Sequence, residues 1–302
     1  MRADVENLLR ESVVEAPPAR VWLRDRFSAF RLGAIFYERA YGAFKRMCNA
    51  LPSRGSTGRL AEVISIAGVT MQLNPSSGAD RHLRKLALRG RLYEPGTTRV
   101  VRALLQNGDT FIDVGANAGY FSLVAAKRVG NAGRVLSIEP YEPTLNRLKK
   151  NAELSEVASI ISPHLIAASD KAGVAMLHVS LRNDGENSIF ADVGLPVACK
   201  TGTVDQLVQH QPVHVIKIDA EGSEASVLSG MKETLNDNPE ICLIIEWHPL
   251  YASSVLWKSL ISRFTVYSII ESEVRFGLIP VESSLHVPRL RLSNLLCIPK
   301  HI

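Results

Sequence analysis

One segment constrains this chain more than any other: Thr110-Phe-Ile-Asp-Val-Gly-Ala-Asn-Ala-Gly-Tyr-Phe-Ser-Leu-Val-Ala-Ala-Lys127. A short apolar run interrupted by Asp113 leads into Gly115 and Gly119, and an apolar helical pattern follows. The pattern predicts strand, glycine turn, helix. Glycine lacks a Cβ, so such a turn lets a ligand approach the backbone. The helix behind it offers unpaired N–H groups and a positive dipole end. A dinucleotide fingerprint would need further glycines where this chain has Asn117 and Tyr120. A pyrophosphate requires that close approach, whereas a nucleoside without one does not. Glu139 ends the next apolar run, where a ribose-binding acid belongs.

Strand-like and helix-like segments alternate from residue 110 onward, which predicts a mostly parallel, seven-stranded sheet with helices on both faces. The expected strands start near residues 110, 134, 160, 214, 241, 264 and 294, with residues 174–179 as an added antiparallel strand. Upstream, residues 62–73 read as a hairpin around Gly68, and residues 97–105 as a helix capped by Thr97. Residues 1–60 read as a helical appendage to a main domain over 61–302. Within it, residues 27–47 form an amphipathic pattern suited to docking, dimer contact or peripheral membrane contact.

Composition narrows the class. Hydrophobic residues make up 46% and charged residues 22%, ordinary for a globular protein. The net charge of +5 comes without an aromatic-interleaved basic patch, so no nucleic-acid partner is expected. The four cysteines are scattered, which predicts free thiols in a reducing, cytoplasmic setting rather than a zinc site. No apolar run reaches membrane-spanning length.

Ligands in such a sheet sit beyond the carboxyl ends of the strands. Those ends carry Asp113, Glu139, Ser169 and Asp170, Asp219 and Glu221, and Glu246 and His248. Several acids at one edge repel one another unless a ligand or cation offsets them. Lys217 is expected to face a helix or the sheet edge.

Taken together, Asp113-Val-Gly-Ala-Asn-Ala-Gly-Tyr-Phe-Ser-Leu123, Ile138-Glu-Pro140, Asn187-Ser188, Ile216-Lys-Ile-Asp-Ala-Glu-Gly222 and Glu246-Trp-His-Pro249 resemble the FkbM family of S-adenosylmethionine-dependent methyltransferases. Tyr93-Glu-Pro95 with Thr98-Arg99 looks like the family's lead-in. The resemblance covers residues 90–250 and departs mildly at Ala220, where the family often has Val. It implies a Rossmann-like class I methyltransferase fold. It further implies that Asp113, Gly115, Asn117, Gly119, Tyr120, Glu139, Pro140, Ser169 and Asp170 bind S-adenosylmethionine. Glu94, Asn187 and Ser188 would line the acceptor's entrance. The implied acceptor is a small molecule or glycan that is methylated on a hydroxyl.

An alcohol nucleophile must lose a proton, so a base helps. Asp219, Glu221, Glu246 and His248 are the catalytic candidates, with His248 or Asp219 preferred as base. A divalent metal on Asp219, Glu246 and His248 is the rival expectation. The competing functions are an NAD-dependent oxidoreductase on the same sheet and a non-catalytic nucleoside-binding relative.

Overall fold

A computed structural model describes residues 3–12, 62–74, 77–180, 187, 189, 194–247, 254–282 and 293–300. The expected amphipathic helix over 27–47, Cys48, Ser188 and His248 lie outside the described residues.

In chain order, helix α1 (Ala3–Ser12) precedes a hairpin of β1 (Glu62–Ile66) and β2 (Val69–Leu73). Ala67 and Gly68 both have positive φ, as a two-residue hairpin turn requires. Helices α2 (Gly78–Ala87) and α3 (Pro95–Leu104) follow, then β3 (Thr110–Val114), α4 (Tyr120–Val129), β4 (Arg134–Ile138) and α5 (Glu142–Leu154). Next come β5 (Ile161–His164), β6 (Ala167–Ala168), β7 (Gly173–Val179), β8 (Leu195–Gly202), α6 (Val204–Val208) and β9 (Val215–Ile218). The chain continues through α7 (Glu224–Ser229), α8 (Lys232–Asp237), β10 (Cys242–Trp247), α9 (Ser254–Arg263), β11 (Phe264–Ile269), β12 (Leu278–Pro280) and β13 (Ser293–Pro299).

The main sheet runs β12-β11-β13-β10-β9-β3-β4-β5. Its five strands from β10 to β5 are parallel, and β13, β11 and β12 join antiparallel at one edge. This is the Rossmann-like sheet the sequence predicts, with β12 as an eighth strand inside the long connection after β11. Chain order reverses at β3, which lies between β4 and β9. That reversal opens a crevice at the carboxyl ends. Apolar clusters on the two faces bury Phe111, Leu123 and Val135 on one side and Ile112, Leu136 and Ile216 on the other. The alternation of neighbouring strand residues between faces explains this division.

Two local expectations are corrected. Residues 173–179 do not extend the main sheet. β7 pairs antiparallel with β8, and β8 pairs with β6, in a separate three-stranded sheet. Helix α3 is not capped by Thr97. It starts at Pro95, with Glu94 at the N-cap position in the left-handed region. Its free N–H groups are met by Glu271, which accepts bonds from the Gly96 and Thr97 amides at 2.7 and 3.1 Å and from the Thr97 hydroxyl. A partner 174 residues away replaces the local cap.

Helix α1 packs on α3, and Val5 and Leu8 are buried in the main core. We propose that residues 3–12 belong energetically to the main domain. Leu8→Ala is then expected to lower the unfolding free energy by about 2 kcal/mol, the low end for truncating a core leucine. Urea titration of the whole chain measures this. An independent appendage would leave the midpoint unmoved.

Candidate active site

A cavity of about 540 Å³ occupies the crevice at the ends of β3, β4, β9 and β10. Its volume lies within the range of small-molecule sites, roughly 300–1,000 Å³. Of the expected cofactor residues, Asp113, Gly115, Asn117, Tyr120, Glu139 and Pro140 line it. Among the other expected site residues, Glu94, Asn187, Asp219, Glu221 and Glu246 line it too. Gly119, Ser169 and Asp170 do not. The chain turns away after Ile166, Ala167 and Ala168, which do line it. The Ser169 amide donates to the Gly202 carbonyl at 2.8 Å, and its hydroxyl donates to Asp170, which is exposed.

The glycines also pack against the chain itself. A Cβ on Gly115 would stand 1.8 Å from the Asp219 carbonyl oxygen, and φ there is +77°. Gly119, at φ +95°, would collide with the Leu148 side chain at 2.8 Å. Both glycines admit other parts of the chain, so they lock the turn after β3 against the turn after β9 and against α5. Ligand approach is a consequence of where that turn is held. Asn117, also at positive φ, donates its amide to Glu139 Oε2 at 3.0 Å, and Tyr141 donates its amide to Oε1 at 2.9 Å. The Glu139 carboxylate is thereby fixed at the cavity wall.

Asp113 is 1% exposed. Its Oδ2 accepts from the Ser122 hydroxyl at 2.6 Å, which in turn accepts from the Ser137 hydroxyl at 2.7 Å. Burial pushes the Asp113 carboxyl above its usual range, against the pull of Lys217. Buried polar atoms are nearly always hydrogen-bonded. Here Asp113 Oδ1, Asn187 Nδ2, Ser223 Oγ and Glu246 Oε2 are buried without a partner, and all four residues line this cavity. Such a lining suits a polar ligand that supplies both donors and acceptors.

Lys217 faces helix α4 through Phe121, as the sequence predicts. It is 2% exposed, and it lines the cavity in the middle of the acids. Its ammonium donates to Asp219 Oδ2 at 2.8 Å and sits 4.8 Å above the Phe121 ring. Burial opposes its charge, but Asp219, Asp113 and Glu94 outweigh burial and hold its pKa above the ordinary lysine value. A signal for this was present. Lys217 and Asp219 are two residues apart, so they project from the same side of an extended strand.

Tyr93, Tyr120 and Phe121 form an aromatic wall, with Tyr93 and Tyr120 edge to face at 5.3 Å. Beside it, Glu94 Oε2 accepts from Asn294 Nδ2 at 2.8 Å. Asn294, on β13, has no local sequence signal for this role. Burial raises the Glu94 carboxyl to about 7, and nearby Asp219 and Glu271 add to the rise while Lys217 opposes it. Burial, then Asp219 and Glu221, raises Glu246 to about 10. Asp219, Glu221 and Glu246 offer carboxylate oxygens within 4.8 Å of one another. This trio differs from the expected metal set, because His248 lies outside the described residues. Asp219 already holds the Lys217 ammonium, so positive charge is supplied there without a metal. Three cavity residues other than glycine, Glu94, Asn117 and Glu221, have positive φ. Each such conformation costs on the order of 1–3 kcal/mol and is typical of functional sites.

The raised Glu246 pKa has a defined thermodynamic sign. A carboxyl whose folded pKa exceeds its unfolded value near 4.5 favours folding fully below that value. The contribution is lost as pH rises toward about 10. Glutamine keeps the shape of the protonated acid. Glu246→Gln is therefore expected to stabilise the protein by about 1–3 kcal/mol at pH 8 and by nothing near pH 4, in urea unfolding at the two pH values.

Residues 113–264 match the methyltransferase FkbM domain family. The hexuronic acid methyltransferase AglP of Haloferax volcanii is 26% identical over 146 residues, 46% of this chain and 58% of its own length. A probable cobalt-precorrin-6B C(15)-methyltransferase (decarboxylating) of Saccharolobus solfataricus is 35% identical over 65 residues, 20% of this chain and 33% of its own. The chain thus spans between a third and three-fifths of these curated relatives. The crystal structure of a methyltransferase FkbM from Methylobacillus flagellatus is similar over 66% of this chain and 50% of that one, at 17% identity and a TM-score of 0.41. The domain match covers half of the sequence, starting at Asp113 on β3 and running past β10, and the chain belongs to the FkbM family of S-adenosylmethionine-dependent methyltransferases.

Proposed function

We propose that this protein transfers a methyl group from S-adenosylmethionine to a hydroxyl oxygen of a sugar-like acceptor. One observation carries the reading: a single continuous cavity joins the glycine turn and Glu139 to the cluster of Glu94, Lys217, Asp219, Glu221 and Glu246. Donor and acceptor would share it. The sugar class follows the hexuronic acid methyltransferase that the chain resembles.

The lining fits the cofactor. Glu139 would accept from the ribose hydroxyls, and the unpartnered Oδ1 of Asp113 would take the ammonium of the amino-acid tail. Pro140, Ile166, Ala167 and Ala168 offer an apolar wall. When bound, the cofactor supplies a methyl carbon activated by a sulfonium. Positioning then contributes much of the rate.

The acceptor hydroxyl must also give up a proton. Asp219 is engaged with Lys217 at 2.8 Å, and Glu246 keeps its proton up to about pH 10. Glu94, near 7, has the pKa of a base working at neutral pH. We therefore assign the base role to Glu94 rather than to the residues favoured by the sequence. Glu246 in its acid form would donate a hydrogen bond to the acceptor, and Asn187 Nδ2 would do the same.

Three measurements test this. Isothermal calorimetry is expected to show S-adenosylhomocysteine binding, with NAD giving no heat. Glu94→Gln is expected to lower kcat by roughly 10²–10⁴ with that affinity kept. In the wild type kcat is expected to rise with pH through about 7 as Glu94 loses its proton. A flat profile between pH 6 and 8, where chemistry limits the rate, would remove Glu94 from the role.

A further inference from the structure

The acceptor end of the cavity carries a charge pattern that bears on which sugars it can hold. Five carboxyl groups line that end: Glu94 from the start of α3, Asp219 and Glu221 from the turn after β9, Glu246 from β10, and Glu271 from the segment after β11, where it accepts from the α3 amides. Asp113 lies close enough to Lys217 and Asp219 to interact with both electrostatically. The one lysine or arginine among the described lining residues is Lys217, and it already donates to Asp219 at 2.8 Å. Among those residues there is no arginine, the side chain best shaped to hold a carboxylate by two parallel hydrogen bonds.

The site responds to this surplus by retaining protons. Glu94 and Glu246 are both raised, with neighbouring carboxylates contributing to each rise after burial. Glu246 Oε2 is buried without a partner beside Asp219 and Glu221. A fresh anion would enter the same field in a space with little water to screen it. A hydroxyl or an ammonium would instead find acceptors at Glu94 and Glu221 and a donor at protonated Glu246. The aromatic wall of Tyr93 and Tyr120 gives the uncharged face of a sugar ring something to lie against.

We propose that this cavity selects an acceptor free of negative charge, a neutral hexoside or an amino sugar, and rejects hexuronic acids. The inference rests on the sugar-methyltransferase reading and sharpens it. It also separates this chain from the hexuronic acid methyltransferase it resembles. Like-charge placement against the wrong partner is a common source of specificity.

The test uses the whole chain with radiolabelled S-adenosylmethionine and matched pairs of acceptors. Each pair is a methyl hexoside and the corresponding methyl hexuronide, in the gluco, galacto and manno series, with the 2-amino-2-deoxy hexosides added. Neutral or amino members are expected to exceed their uronides in kcat/KM at least tenfold at pH 7.5. Glu221→Gln is expected to shrink that ratio at least threefold, because it removes a negative charge and keeps the shape. Uronides turned over as well as or better than their neutral partners would overturn the inference and leave the methyltransferase reading standing. A ratio unmoved by Glu221→Gln would also overturn it, by showing that shape and not charge discriminates. If no sugar is methylated by protein that binds S-adenosylhomocysteine, the sugar-acceptor reading falls and takes this inference with it.

Discussion

The structure turns on the buried ammonium of Lys217. It sits in the middle of the parallel sheet, on β9 between β3 and β10, with an aromatic ring above it and a carboxylate at 2.8 Å. An isolated ammonium in such a place would be neutral, because burial disfavours charge. Here three carboxylates keep it charged. The dependence runs both ways. Without that cation, Asp113, Asp219, Glu94 and Glu246 would face one another across a crevice of low dielectric. Removing one member of such a network strands the others, so the acids and the lysine stand or fall together.

Backbone packing sets where that network lies. Gly115 leaves no room for a side chain, because the carbonyl of Asp219 occupies the space. The turn after β3 and the turn after β9 are therefore in direct contact, and Asp219 is aimed by the same contact that shapes the glycine turn. Glu139 is fixed from the other side by amides of Asn117 and Tyr141. A chain that reproduces the strand order thus brings Glu139 and the Asp219 cluster to the same crevice. Fold and site share one geometric constraint.

How much of this the sequence revealed follows from the range of each interaction. Strand β3, its glycine turn and Glu139 were legible because each is a local pattern, although the contact that requires Gly115 comes from Asp219. The crevice was legible because parallel strands place their carboxyl ends together. The helix that Lys217 faces was legible, since its ammonium lies over Phe121 of α4, but Asp113 and Glu94, which help to hold its charge, come from elements far off in sequence. The same limit hid Glu271, which caps α3 from 174 residues away, and Asn294, which binds Glu94 from 200 residues away. Ser169 and Asp170 failed for the opposite reason. They end an apolar run, but Ile166 to Ala168 already form the wall, and the chain bends off to meet Gly202 and Gly230.

The two halves of the cavity therefore differ in kind. The half around Gly115, Asn117 and Glu139 is held by backbone groups of the turns after β3, β4 and β9, and its shape is hard to change without disturbing the sheet. The half around Glu94, Glu221 and Glu246 is built from side chains brought together by long-range pairings such as Glu94 with Asn294. A change of charge there leaves the backbone of the first half untouched. On the proposed function, the donor side of this fold can stay constant while the acceptor side is retuned by a few carboxyl groups. In this chain those groups have accumulated to the point where two of them hold protons near or above neutral pH, at about 7 and about 10. A site in that condition discriminates by charge before it discriminates by shape, since a ligand of the wrong sign is opposed as soon as it leaves water.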